Sequence, residues 1–248
     1  MKESWGKSYS SQLGRDMEYV VYGESDAKKL CVAFPPQNGR FYTFLGNMFQ
    51  KVRPWVENKS IQLLCPDGID LETWSNENGD PRTRMEIHER WFHYVVDELL
   101  PQFARSDQKA MTCGCSMGGF HAGNFFFRRP DLFDTLLSMS GLFNGQYFFH
   151  EYMDDLVYAN SPVHFLPNMP DYHPWMNLYK QSTIILCVGQ GLREDDLLNG
   201  TRELDEVLTS KGIPHWTDYW GYDVSHDWHW WKKQFPYFLK HIFGDGAA

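Results

Sequence analysis

Residues 114–118 carry the clearest chemical pattern in the chain. They read Gly-Cys-Ser-Met-Gly, which places Ser116 at the centre of a Gly-x-Ser-x-Gly. This pattern is typical of a nucleophile elbow, in which a strand turns sharply into a helix and presents a serine at the apex. Glycines two positions before and after the serine allow the close backbone approach of such a turn. A strand-like run, 110–115, and a helix-like run, 117–129, flank the pattern in the required order.

A serine of this kind needs a histidine, because its hydroxyl is a poor nucleophile until a general base takes the proton. On an elbow scaffold the chain order is serine, acid, histidine. Two histidines follow the last strand-like run, 215–220. His226 lies in a loop that can reach over the strand ends, whereas His229 lies one turn later, in the next helix. We therefore predict His226 as the base and His229 as a packed, hydrogen-bonded residue, since a metal site on this pair would lack further ligands.

Three adjacent carboxylates are candidates for the acid that orients the histidine. Glu194, Asp195 and Asp196 follow the strand-like run 183–189. The leucines that come next are typical of the first core-facing positions of a helix, so Asp195 and Asp196 would lie near its start. Acidic residues there serve as cap and first-turn charge. Glu194 still lies in the loop and has the longer side chain. We predict Glu194 first and Asp195 next, and the choice among the three stays open.

The oxyanion of a tetrahedral intermediate needs backbone N–H groups that are already in place. One is expected from Met117, the residue after the serine, and the second from the loop after the strand-like run 29–34. Pro35 and Pro36 open that loop and have no N–H to donate. Gln37 is therefore the first candidate for the second donor, and Asn38 is the next.

Two other reactive side chains lie close to the serine in sequence. His121 would lie more than one turn along the helix that begins at the elbow, too far to act as base. We expect it to pack against neighbouring loops. Cys115 precedes the serine directly, but side chains alternate along a strand, so its thiol is expected to point away from the site.

Short apolar runs and helix-like segments alternate along the chain, and they are the elements that must position these residues. A helical repeat of apolar residues over 81–103 predicts one long helix. The alternation favours an α/β fold with a mostly parallel central sheet and helices on both faces. No linker or internal repeat interrupts it, so we predict a single domain over residues 1–248. The predicted buried strands are 29–34, 61–65, 110–115, 135–141 and 183–189, and the weak alternation over 18–23 predicts an early edge strand.

Residues 144–180 break this alternation. The segment is long, rich in Tyr, Phe, His, Trp and Pro, and has no clear strand. Long insertions of this kind commonly cover a site, which predicts a cap-like, aromatic-rich insertion. A few surface helices packed on the sheet are the alternative interpretation.

Composition limits which classes of partner and which cellular compartment we expect for this protein. The net charge is −9 and no cluster of lysine and arginine forms a stripe, so we expect no nucleic-acid partner. No run approaches eighteen apolar residues and the start lacks a signal-peptide pattern, so we expect no membrane association. Four of the five cysteines lie in apolar, strand-like runs that suit free buried thiols, which predicts a cytoplasmic protein. These four are Cys31, Cys65, Cys113 and Cys187.

The chain resembles the putative-esterase family of α/β-hydrolases, which includes S-formylglutathione hydrolases, feruloyl esterase domains and mycolyltransferases. The resemblance covers about residues 15–243 and is strongest over 114–122, 138–141 and 225–230. In the last of these stretches tryptophans follow the histidine, as in the catalytic-histidine loop of the family. The chain differs at residues 34–39, where many members carry His-Gly-Gly-type residues in the oxyanion loop.

The resemblance implies an α/β-hydrolase fold and a role for each candidate. Ser116 would be the nucleophile, His226 the base, and one of the three acids, first Glu194, would complete the triad. We predict a serine esterase that cleaves small-molecule carboxylic esters through an acyl-enzyme, without metal or organic cofactor. An acyltransferase with the same triad and a non-catalytic binding protein on a hydrolase scaffold are the alternatives. The oligomeric state, including a homo-oligomer, stays open.

Overall fold

One mostly parallel sheet of eight strands organises residues 3–246, the part of the chain that this computed structural model describes. The order across the sheet is β1-β2-β4-β3-β5-β6-β7-β8. Only the β1–β2 and β2–β4 pairs are antiparallel. The strands are β1 (Glu3–Ser10), β2 (Arg15–Tyr22), β3 (Lys29–Phe34), β4 (Ile61–Pro66), β5 (Ala110–Cys115), β6 (Phe133–Met139), β7 (Thr183–Val188) and β8 (Trp216–Tyr219).

Nine α-helices accompany the strands within these residues. They are α1 (Thr43–Glu57), α2 (Pro81–His93), α3 (Met117–Arg128), α4 (Gln146–Phe149), α5 (Asp155–Ala159), α6 (Pro162–Asn168), α7 (Pro174–Lys180), α8 (Asp195–Ser210) and α9 (Trp228–Phe243). A π-helical segment, Tyr94–Leu99, and a 3-10 turn, Leu100–Gln102, continue α2. The long helix predicted over 81–103 is therefore present with two changes of winding.

The buried strands fill two cores because their side chains alternate between the faces of the sheet. Leu30, Val32 and Phe34 of β3 pack on one face with residues of α2, α3 and α8. Cys31 and Ala33 of the same strand pack on the other face with α1 and α9. Helices thus cover both faces, and a strand buried on both sides reads as a continuous apolar run. The predicted α/β fold class is confirmed.

The exposed edge of the sheet differs from the sequence-based expectation. β1, which was not expected, forms the edge, and β2 lies inside it. Trp5 and Tyr9 of β1 are 60% and 67% exposed. Because this strand buries little, its sequence lacks the apolar run by which the other strands were recognised.

The aromatic segment 144–180 folds into the four short helices α4–α7. Its first part lies over the elbow helix: Phe149 and Val157 are buried in one cluster with Trp74 and Phe120. Its last part packs elsewhere, since Met176 of α7 belongs to the main core on the α2 and α3 face. The assignment of residues 1–248 to one domain with a cap stays a prediction.

Each of the five cysteines in the described residues is buried, and none of them forms a disulfide. Burial raises the pKa of the Cys115 thiol well above its ordinary value. Between residues 3 and 246, no helix has both the length and the apolar character that a membrane span requires. A cytoplasmic location stays a prediction.

Candidate active site

Ser116 lies at the turn between β5 and α3, with φ 58° and ψ −128°. The turn is tight: a Cβ on Gly114 would lie 2.2 Å from the carbonyl oxygen of Gly118. A Cβ on Gly118 would in turn lie 2.5 Å from the carbonyl oxygen of Phe34, at the end of β3. Both positions of the pattern therefore require glycine, and the elbow presents the serine at the carboxyl end of the sheet.

The structure brings His226 to the serine from the loop between β8 and α9. The Ser116 hydroxyl lies 2.9 Å from His226 Nε2, a distance at which it can donate a hydrogen bond. The imidazole packs edge-on against Trp231, with ring centroids 4.8 Å apart. The amide of His226 donates to the carbonyl of Leu192 at 3.0 Å, which ties this loop to the one after β7.

His229 lies in the first turn of α9 and is not brought to the serine. It is exposed, so the prediction of a packed histidine at this position is wrong. Its amide donates to Asp227, the residue that caps the helix. Among residues 3–246 no three metal-ligating side chains converge, so the structure assigns no ligand set to the two histidines.

Of the three candidate acids, Glu194 is the one that reaches His226. Its Oε2 lies 3.3 Å from His226 Nδ1, and the residue is only 1% exposed. Glu194 immediately precedes α8 and its side chain does not cap that helix. Asp195 and Asp196 lie in the first turn of α8, as the sequence indicated. Asp196 instead accepts a hydrogen bond from the hydroxyl of Tyr147, at 3.2 Å.

Sequence reasoning missed Ser140 as a partner of the acid. This residue follows β6 with φ 51°, and its hydroxyl donates to Glu194 Oε1 at 2.7 Å. The indole N–H of Trp231 donates to the same hydroxyl at 3.2 Å. A buried carboxylate needs such partners to keep its charge. The available signal was the position of this polar residue near the end of the predicted strand 135–141.

The two predicted oxyanion donors lie at the same cavity. Met117 and Gln37 line it together with Ser116 and His226. The amide of Asn38, the alternative second donor, is already engaged, since it donates to Asp70 at 3.2 Å. No hydrogen bond from the Gln37 amide occurs within the described residues, and its side chain donates to Ser75. The geometry therefore favours Gln37 over Asn38.

The cavity beside the serine has a volume of about 140 Å³. Its remaining walls are mostly apolar: Phe120, Leu142, Tyr147, Phe148 and Leu197. Tyr147 and Phe148 come from the aromatic segment, whereas Trp175 of that segment packs against the main core. Arg84 holds Phe148 in place, because its guanidinium donates to the carbonyls of Trp74 and Phe148.

A mostly parallel sheet, an elbow serine at its carboxyl end, and a histidine and a carboxylate from the following loops together define an α/β-hydrolase. The family model described as "Putative esterase" matches residues 10–242. The chain therefore belongs to this family and is a carboxylic ester hydrolase, and the resemblance predicted from the sequence is confirmed. Among curated proteins, none matches the sequence.

Solved structures of similar fold come from enzymes of low sequence identity. A ferulic acid esterase has a TM-score of 0.73 at 16% identity, with 98% of each chain covered. Fluorophosphonate-binding serine hydrolase F of Staphylococcus aureus has a TM-score of 0.69 at 18% identity, with 97% of this chain and 98% of that chain covered. An S-formylglutathione hydrolase from Agrobacterium tumefaciens has a TM-score of 0.70 at 14% identity, with 96% and 93% covered.

Proposed function

We propose that the chain hydrolyses small-molecule carboxylic esters through an acyl-enzyme formed on Ser116. The observation that carries this proposal is the continuous contact from the Ser116 hydroxyl through the imidazole of His226 to the carboxylate of Glu194. The longer of its two distances, 3.3 Å, is in keeping with catalytic hydrogen bonds that tighten only when substrate is bound.

In the first half-reaction, Ser116 Oγ attacks the ester carbonyl while His226 Nε2 takes its proton. The tetrahedral oxyanion accepts hydrogen bonds from the amides of Met117 and Gln37. Glu194 stabilises the imidazolium and fixes the ring, with Nδ1 donating to the carboxylate. The imidazolium then gives its proton to the departing alkoxide as the C–O bond breaks, which leaves an acyl-serine and a free alcohol.

In the second half-reaction, water replaces the alcohol. His226 takes a proton from the water as it attacks the acyl carbonyl, and the same amides hold the second oxyanion. Collapse of this intermediate breaks the bond to Ser116 Oγ, which regains its proton from the imidazolium, and a carboxylic acid leaves. Hydrolysis is thereby complete without any further reactant.

The volume and the lining of the cavity limit which acyl groups this site accepts. Pockets for drug-sized ligands are usually about 300–1,000 Å³, and the space beside Ser116, about 140 Å³, is smaller. Its walls are predominantly apolar side chains. A short, uncharged acyl group fits these two features best.

The proposal is tested with p-nitrophenyl esters of graded chain length and the Ser116→Ala variant. Loss of a triad serine costs on the order of 10⁶ in kcat, so the variant should show no turnover above background and no labelling by a fluorophosphonate probe. Ser210→Ala, at an exposed serine at the end of α8, serves as the control and should remain active and labelled. Turnover by Ser116→Ala above about a hundredth of wild type would refute the proposal. Ester formation in preference to hydrolysis, when an alcohol is supplied, would favour the acyltransferase alternative.

A further inference from the structure

A second buried histidine–carboxylate pair lies close to the proposed site but does not touch the serine. His121 of α3 and Asp70, in the loop after β4, are 1% and 3% exposed. The Nε2 of His121 lies 2.9 Å from Asp70 Oδ1. With the carboxylate accepting, Nε2 carries the hydrogen, and the described residues offer no partner to Nδ1. Aromatic rings surround the imidazole, among them Trp91 with its centroid at 4.9 Å.

The other oxygen of Asp70 holds the oxyanion loop. Asp70 Oδ2 accepts the amide hydrogen of Asn38 at 3.2 Å. Asn38 has φ 57°, in the left-handed region that glycine and asparagine adopt more readily than other residues. The peptide bond between Gln37 and Asn38 is thereby fixed by a carboxylate that is fixed in turn by the elbow helix. Asp70 also anchors the backbone of its own loop, since its carbonyl accepts the amide hydrogen of Ser75 at 2.8 Å.

Packing makes the same connection between loop and helix. Gly118 of α3 lies directly against the backbone at Phe34 and Pro35, where a Cβ would approach to 2.5–2.7 Å. Gly68, in the loop that carries Asp70, lies equally close to the carbonyl of Gly39. The oxyanion loop is therefore held between the elbow helix on one side and the Asp70 loop on the other.

We propose that Asp70 and His121 are positioning residues for the oxyanion hole. One of its proposed donors, the Met117 amide, belongs to α3, and the other, the Gln37 amide, belongs to the loop after β3. The Asn38–Asp70–His121 chain of hydrogen bonds joins these two elements and sets the distance between the two donors. It also occupies the Asn38 amide, so that of these two candidate donors only the Gln37 amide has no hydrogen-bond partner among the described residues. This inference rests on the proposed function of Ser116.

The test compares Asp70→Ala with Asp70→Asn and uses kcat per serine titrated to completion with a fluorophosphonate, so that misfolded protein does not count. Asp70→Ala removes both acceptors and should lower kcat about tenfold to a hundredfold, part of the 10²–10³ that removal of a donor costs. KM should change little, because the lost interaction is made in the transition state.

Asp70→Asn should recover most of this loss. Its amide oxygen can accept the Asn38 amide hydrogen, and its NH₂ can donate to Nε2 of His121 in the other tautomer. A role confined to packing would not predict this recovery. Asp205→Ala is the matched control, because Asp205 pairs with His215 at 2.7 Å away from the proposed site, and its kcat per titrated serine should equal that of wild type.

His121→Leu is a second test, which keeps the bond from Asn38 to Asp70 but releases Asp70 from α3. A loss of about tenfold in kcat per titrated serine is expected there, again as a fraction of the cost of a lost donor. If Asp70→Ala or His121→Leu folds and its kcat per titrated serine equals that of wild type, the inference is wrong. Ser116→Ala is measured beside them: if it is inactive while Asp70→Ala is normal, only the positioning role fails, whereas activity in Ser116→Ala would refute the proposed function itself.

Discussion

Glu194 differs from its two acidic neighbours in what surrounds its carboxylate. One oxygen accepts the hydroxyl of Ser140 and the other faces His226 Nδ1. Asp195 and Asp196 are adjacent in sequence but lie in the first turn of α8, where a negative charge is stabilised by the helix dipole. Adjacent carboxylates of the same chemistry thus have separate physical environments.

Neutralising Glu194 should therefore lower kcat strongly, whereas neutralising Asp195 or Asp196 should not. Glu194→Gln leaves His226 without its carboxylate, and we expect kcat to fall roughly 10⁴-fold, as in other triads. Asp195→Asn and Asp196→Asn are the matched controls and should keep near-normal turnover. Steady-state kinetics with a p-nitrophenyl ester measure kcat for each variant, and melting temperatures show whether stability changes as well. Near-normal turnover in Glu194→Gln would instead assign the acid to whichever variant lost activity.

Residue types and spacing predicted which side chains meet, but they could not predict every partner. Ser116 and His226 are recognisable because a short pattern and a chain order specify them. Ser140 and Asp70 are single polar residues just past strand ends, and many such residues are solvated. Their contacts are with residues 54 and 51 positions away in sequence. Only the folded chain decides that these polar groups are buried together.

At the scale of single elements, the start of α9 sets the position of the histidine loop. Asp227 caps this helix, accepting the amides of His229 and Trp230 at 2.8 and 3.3 Å. The hydroxyl of Ser225, together with these amides, lowers the pKa of Asp227 below its ordinary value. Because His226 directly precedes the cap, the first turn of α9 fixes where its backbone lies.

Asp227→Ala should lower the free energy of unfolding by about 1 kcal/mol at neutral pH, the usual cost of a lost cap. A carboxyl whose folded pKa is depressed stabilises the fold above its unfolded pKa of about 3.9 and loses that contribution as pH falls further. The difference from wild type should therefore be full at neutral pH and shrink below about pH 4. Urea unfolding over this range measures it. The exposed Asp223 of the same loop offers a control, Asp223→Ala, which should match wild type, and an equal loss there would contradict the capping role.

The aromatic segment acts on the cavity through only a few of its side chains. Phe148 lines the space beside Ser116, and Trp175, 27 positions further along, packs against the core instead. Phe148→Ala should enlarge the cavity and shift the preferred p-nitrophenyl ester towards longer acyl chains. The expected change in the ratio of kcat/KM for a long to a short ester is about tenfold, the lower end of what one methylene contributes in an apolar pocket.

Trp175→Ala is the matched control for this prediction. It removes an aromatic side chain from the same segment, and it should reduce stability without changing the order of preference among esters. Kinetics over one panel of chain lengths compares the two variants. The same preference in Phe148→Ala as in wild type would show that the cavity walls do not select the acyl group.

At the scale of the whole molecule, burial decided how well the sequence predicted the fold. The central strands β3 to β7 are covered on both faces, and their continuous apolar runs gave bounds within about two residues, the usual uncertainty at the ends of elements. β1 lies at the edge, where little burial imposes an apolar run, and it was missed. α1 was missed as well, although its buried residues recur at helical spacing, because it contains Pro54, a residue that usually marks the end of a helix. A strand is recognisable in the sequence when burial requires an apolar run there, and it is hard to recognise when the strand is exposed.

The backbone at Ser116 has a thermodynamic consequence. A serine at φ 58° and ψ −128° is held in a region that glycine occupies freely, and such a conformation costs about 1–3 kcal/mol. Ser116→Gly should relieve that strain, and the greater chain entropy of unfolded glycine, about 0.5–1 kcal/mol, offsets only part of the gain. The inactive variant should therefore melt a few degrees higher than wild type, since about 1 kcal/mol raises Tm by roughly 2–4 °C at this chain length.

Differential scanning calorimetry of Ser116→Gly beside Ser116→Ala, which keeps the strain, separates the relief of backbone strain from the loss of the hydroxyl. Equal melting temperatures for the two would mean that the fold is not strained at its nucleophile; a higher one for glycine would measure the stability that this protein gives up to present a serine there.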